Sequence, residues 1–164
     1  MPSPTRSAVS TMAEVDWKAA AVALFNEAWT YIDRDDRTAD DDRSMLAATL
    51  GSLACWRKVG TQKNFSISDW QASRVYALLG DAPLARYYGE SALEHAKTGQ
   101  AGPFYTGFAY EALARAAAVE GNHSLARTHI AAATALAGKI RSEEDRALLD
   151  AALGEIEARL PGAS

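Results

Sequence analysis

The chain has 164 residues, 48% of them hydrophobic and 23% charged, which is enough for one domain with a real core and speaks against disorder. A net charge of -4, with no Lys/Arg block longer than Arg57-Lys58, excludes the basic surface that phosphate backbones require. The single cysteine, Cys55, excludes an internal disulfide, and no apolar run has signal-peptide or membrane-span length, so the expected setting is cytoplasmic, without membrane or nucleic-acid partners.

Residues 1–12 read as a flexible N-terminal tail, 13–160 as one helical domain and 161–164 as a flexible C-terminus. Val15, Val22, Phe25, Trp29 and Ile32 recur at helical steps and predict a helix over 14–33. After "RDDRTADDDR", Thr38 and Asp41 have the spacing of a capping box that opens a second helix, closed by Gly60. "GTQKNFSIS" reads as a loop, with Ser68 capping a third helix over 69–79 that ends at Gly80. Asp81 and Pro83 open a fourth over 82–97, and "KTGQAGP" is the clearest loop. A fifth helix spans about 104–120 and a sixth about 123–139. The seventh starts at "SEED", where Ser142 and Asp145 repeat the capping-box spacing; Leu148, Ala152, Leu153, Ile156 and Leu160 form its apolar stripe. β-branched residues are few and alternation is absent, so the fold class is all-α.

Residues 74–96 and 115–137 overlay without a gap, with identities at Arg74/Arg115, Ala77/Ala118, Gly80/Gly121, Leu84/Leu125, Ala85/Ala126, Arg86/Arg127, Ala92/Ala133 and Ala96/Ala137. A turn glycine followed by two alanines seven residues apart resembles the tetratricopeptide (TPR) repeat. "CWRKVGTQKNFSISDWQASRVYALLG" and "FAYEALARAAAVEG" likewise resemble segments of small bacterial TPR-like proteins. The pattern departs from the family in three places. The copies stand 41 residues apart, the Trp falls one residue late at Trp70, and Lys97 replaces the closing Pro. The resemblance implies an α-α superhelix of about three antiparallel pairs plus a C-terminal capping helix. A decayed front copy would use Ala47 and Ala54 as its small residues.

In TPR proteins the first helix of each pair lines a concave groove. The resemblance therefore implies that Arg74 and Arg115 sit on neighbouring helices, roughly 10 Å apart, each able to grip a carboxylate. Trp70 and Glu111 share those faces, and Asn26, Trp29 and Asp33 on the first helix would close the cleft. The competing reading is structural: Glu111 and Arg115 form an i,i+4 pair, and Arg74 reaches across to Glu111 for packing alone.

No nucleophile elbow, P-loop or dinucleotide fingerprint occurs, and the histidines at 95, 123 and 129 lack metal-ligand spacing. The acidic run from Asp33 lacks the glycine and terminal Glu of a calcium loop. The expected protein is a non-catalytic binding module with no cofactor or metal. Its partner would be an acidic or carboxylate-bearing protein segment, or another copy of the chain. The alternative is a small-molecule sensor or enzyme with a pocket between the first, third and fifth helices. Pocket shape discriminates between them.

Overall fold

A computed structural model describes residues 14–162; the tail expected at 1–12 lies outside them, as does the end of the C-terminal one. Among the described residues there are seven helices and no strand: α1 Trp17–Ile32, α2 Ala39–Val59, α3 Gln62–Leu78, α4 Ala82–Thr98, α5 Pro103–Glu120, α6 His123–Ala137 and α7 Glu143–Glu157. None of them is long and apolar enough to cross a membrane.

The caps explain most boundaries. At α2 the Thr38 amide donates to Asp41 Oδ2 (2.9 Å) and the Asp41 amide to Thr38 Oγ1 (3.1 Å). The Asp41 carboxyl is held below its ordinary pKa, first by the Thr38 amide. Asp16, Asp81, Asn122 and Ser142 each accept an amide of the first turn of their helices. Gly80 and Gly121 close α3 and α5 at φ of 78° and 82°, where a side chain would be strained.

The third helix departs from expectation. It starts at Gln62, and Thr61, not Ser68, is its cap: Asn64 Oδ1 accepts the Thr61 amide at 3.0 Å and its hydroxyl at 3.1 Å. Asparagine stands where a capping box normally has Glu or Gln, which hides the start. Ser68 is buried inside the helix and its hydroxyl bonds back to the Phe65 carbonyl.

Two serines fix the direction of packing. Ser66 Oγ donates to the Ala92 carbonyl (2.9 Å) and Ser73 Oγ to that of Ala85 (2.6 Å), so α3 and α4 run antiparallel. Gly89 lies against Leu113 and Arg86 pairs with Glu120, which makes α4 and α5 antiparallel too. Gly107 lies against Leu149 while Arg115 reaches Glu155, so α5 and α7 run parallel. The odd-numbered helices meet in order, α1 with α3, α3 with α5 and α5 with α7.

Alanine permits this close approach. Ala85, Ala92, Ala126 and Ala133 are all fully buried. In α2 the buried small pair is Ala48 and Cys55; Ala47 and Ala54, expected in that role, are exposed, one residue off the packed face. α5 is the central helix, buried from Gly107 to Ala117 except at half-buried Tyr110. In α7 the stripe is shifted as well: Leu149 is fully buried, whereas Leu148 is 55% exposed.

Candidate functional site

Because α5 is surrounded, its two buried ionic side chains, Glu111 and Arg115, had to be paired inside the protein. Glu111 is fully buried and both its oxygens accept from neighbouring side chains. Its Oε2 accepts the Trp70 indole N–H at 2.6 Å, and its Oε1 accepts Arg115 Nε at 2.9 Å and Nη2 at 2.6 Å. Arg115 Nη2 also reaches Glu155 Oε2 at 3.4 Å and the Ala152 carbonyl at 3.5 Å.

Arg74 is held differently. Its Nη2 makes one long bond, 3.5 Å, to the same Glu155 oxygen, its Nη1 stands 4.0 Å from Glu111, and its Nε is buried with no partner. The guanidinium lies over the Trp29 ring, 5.4 Å from the centroid. Burial, and then the neighbouring Arg115, lower its pKa from the ordinary value.

Beside this cluster opens a cleft of about 390 Å³, lined by Phe25 and Trp29 of α1, Ile67, Trp70 and Arg74 of α3, Phe104, Tyr105 and Phe108 of α5, and Leu148 and Ala152 of α7. Its rings interlock: Trp70 meets Trp29 at 5.8 Å and Phe108 at 5.2 Å, and Phe108 meets Phe104 at 4.9 Å. Ile67 reaches this wall only because α3 begins seven residues before the expected start.

No protein-family model, curated protein or solved structure matches this chain.

The structure brings Trp29, Trp70, Arg74, Glu111 and Arg115 together and leaves Asn26 and Asp33 out. Both of the latter are exposed and neither lines the cleft; Asp33 is the C-terminal cap of α1. The two arginines do not form separate anion grips: their Nη2 atoms converge on one oxygen of Glu155. Trp70 is a wall and a hydrogen-bond donor at once. Sequence reasoning missed Glu155 and all of α7, although Leu148, Ala152 and Glu155 share one helical face. It also missed Phe25, Phe104, Tyr105 and Phe108, whose aromatic character alone does not separate a cleft wall from core.

A second polar cluster lies on the other side of α3. Asp69, fully buried, accepts Ser91 Oγ at 2.5 Å through Oδ2, with Arg57 Nη2 at 3.5 Å and His95 Nε2 at 3.6 Å. His95 Nδ1 is 2.6 Å from Gln62 Oε1, and Asp69 Oδ1 has no partner. This cluster ties α2, α3 and α4 together.

Proposed function

We propose that the protein is a non-catalytic binding module and that its ligand, a small and largely apolar molecule, occupies the cleft between α1, α3, α5 and α7. The observation that carries this is the cleft itself. Its volume of about 390 Å³ falls in the range of small-molecule sites, which are typically apolar hollows with few placed polar groups. Among the described residues Arg74 is the only charged one in the wall, and no Ser, Cys or His lines it, so the geometry supplies recognition rather than a nucleophile or a general base.

A polyacidic segment fits this site poorly, because Arg115 presents its Nε/Nη2 edge to Glu111 and does not line the cleft, which leaves Arg74 as the guanidinium that faces a ligand. A protein segment inserting a single apolar side chain is the second reading; the 55% exposure of Leu148 on the cleft wall favours it. The helix pairs α1/α2, α3/α4 and α5/α6 we read as TPR-like repeats with α7 as their cap. That reading rests on the internal repeat and on the matched burial of Ala85/Ala92 and Ala126/Ala133.

The test uses Nile red, an apolar dye whose emission reports a dry site. Leu148→Asp places a carboxylate on an exposed part of the wall, so the fold is retained while Nile red affinity falls about tenfold. Equal affinity of native and variant protein would sink the proposal.

A further inference from the structure

We infer that the cleft's ligand is an amphipathic monocarboxylate, an aliphatic or aryl-substituted acid, whose carboxylate takes the Nε/Nη2 edge of Arg74 in place of Glu155. The inference rests on the cleft being the binding site.

The Nε–H and Nη2–H of a guanidinium point the same way, and a carboxylate fills that edge with two parallel bonds. In Arg115 the edge is occupied, since both donors are directed at Glu111 Oε1. In Arg74 it is half used: Nη2 has one 3.5 Å bond to Glu155 and Nε has none, although it is shielded from water. A buried donor without an acceptor is costly, and an incoming carboxylate would remove that cost. Arg74 is also the arginine that lines the cleft.

Charge restricts the ligand further. Arg74 and Arg115 face Glu111 and Glu155, two cations against two anions. A ligand carboxylate that sends Glu155 into solvent preserves the balance, and Glu155, with its side chain 51% exposed, lies close to water already. A dianion would bring a second negative charge beside buried Glu111, and a neutral oxygen would accept from Arg74 without the charge assistance and paired bonds of a carboxylate. The rest of the ligand is largely apolar, because the Trp70 N–H is taken by Glu111 and, apart from the Tyr105 hydroxyl, the remaining wall of Phe25, Trp29, Ile67, Phe104 and Phe108 offers nothing polar to meet. Glu155 thus acts as a stand-in for the ligand's carboxylate.

Decanoate, 1-decanol and decyl phosphate, each below its aggregation concentration at about pH 8, would be titrated against the change in tryptophan emission, since two of the four tryptophans, Trp29 and Trp70, stand in the wall. In the native protein decanoate should bind about tenfold tighter than the alcohol or the phosphate. Glu155→Gln should tighten decanoate about fivefold while leaving decanol unchanged, since it removes a competing charge from an exposed position. Arg74→Gln should bring decanoate down to the decanol level, and Arg74→Lys should restore only part of the difference, because an ammonium lacks the edge. Equal binding of acid and alcohol in the native protein, with both weakened by Leu148→Asp, would overturn the Arg74 anchor while leaving the cleft as the site. Binding of decyl phosphate as tight as decanoate would overturn the restriction to a monoanion. Failure of all three probes to bind would overturn the anchor and the cleft together.

Discussion

Glu111 sits fully buried in a helix that has neighbours on every side, and its two oxygens meet an indole and a guanidinium at 2.6 Å. Such a group is expensive to disturb on one side only. Glu111→Ala leaves the Arg115 Nε–H and the Trp70 N–H without their acceptor, and should lower unfolding free energy by about 3 kcal/mol in urea titrations. Glu155→Gln, at a half-exposed position, should cost less than about 1 kcal/mol in the same assay. Asp69 provides a second test, through pH. Burial raises its pKa above the ordinary carboxylate value, despite the opposing effects of Ser91, Arg57 and His95. A raised native pKa means that the protonated form is favoured on folding. Its contribution is greatest below the unfolded value of about 3.9 and is lost as pH rises through the native value. Asp69→Asn abolishes that loss, so the stability of the variant relative to native protein should improve across the window that opens at the unfolded value of about 3.9 and closes at the raised native one. A difference that stays flat across the window contradicts the assignment.

Between elements, side-chain size at the crossings decides what fits. A Cβ at Gly107 would stand 2.6 Å from Leu149 Cδ2, and Leu149 is itself fully buried between α5 and α7. Gly107→Ala should therefore cost about 1–3 kcal/mol through overpacking. Gly121 meets nothing within 4 Å but has a φ of 82°, so Gly121→Ala should cost about 1–2 kcal/mol for backbone reasons alone. The neighbouring leucines of α7 separate packing from composition more sharply still. Leu149→Ala should lose about 2–5 kcal/mol, while Leu148→Ala, at a largely exposed position, should stay within about 0.5 kcal/mol. Thermal and urea denaturation of the pair would reveal an inverted order if the stripe expected from Leu148 were the packed one.

For the molecule as a whole, α7 completes both the core and the cleft. Leu149, Leu153 and Ile156, with Leu160 just beyond its end, join the largest apolar cluster, and Leu148 and Ala152 supply one side of the cleft wall. Removing the chain from Ser142 onward would expose that cluster along α5 and α6, and should replace cooperative unfolding by a broad transition with strong binding of an apolar dye. Retention of a sharp transition would show that α1 to α6 form a sufficient core on their own.

The helical class, most helix ends and the internal repeat were legible in the sequence. They depend on short-range features: apolar steps of three, four and seven, acidic and hydroxyl caps, and glycines at Gly80 and Gly121 that reverse the chain. The start of α3 escaped because Asn64, an unusual capping partner, controls it. Trp29, Trp70, Arg74, Glu111 and Arg115 were recognisable as neighbours because helical spacing carries over from one pair to the next. Only tertiary structure decided what they do. Whether a guanidinium is satisfied or left with a free edge depends on which carboxylate arrives from elsewhere in the chain, and Glu155 comes from a helix whose register along α5 no local pattern specifies. The same holds for the cleft, since a phenylalanine reads alike in core and in wall until four helices have closed around it. Local rules act within a few residues, whereas burial and charge compensation are properties of the packed molecule.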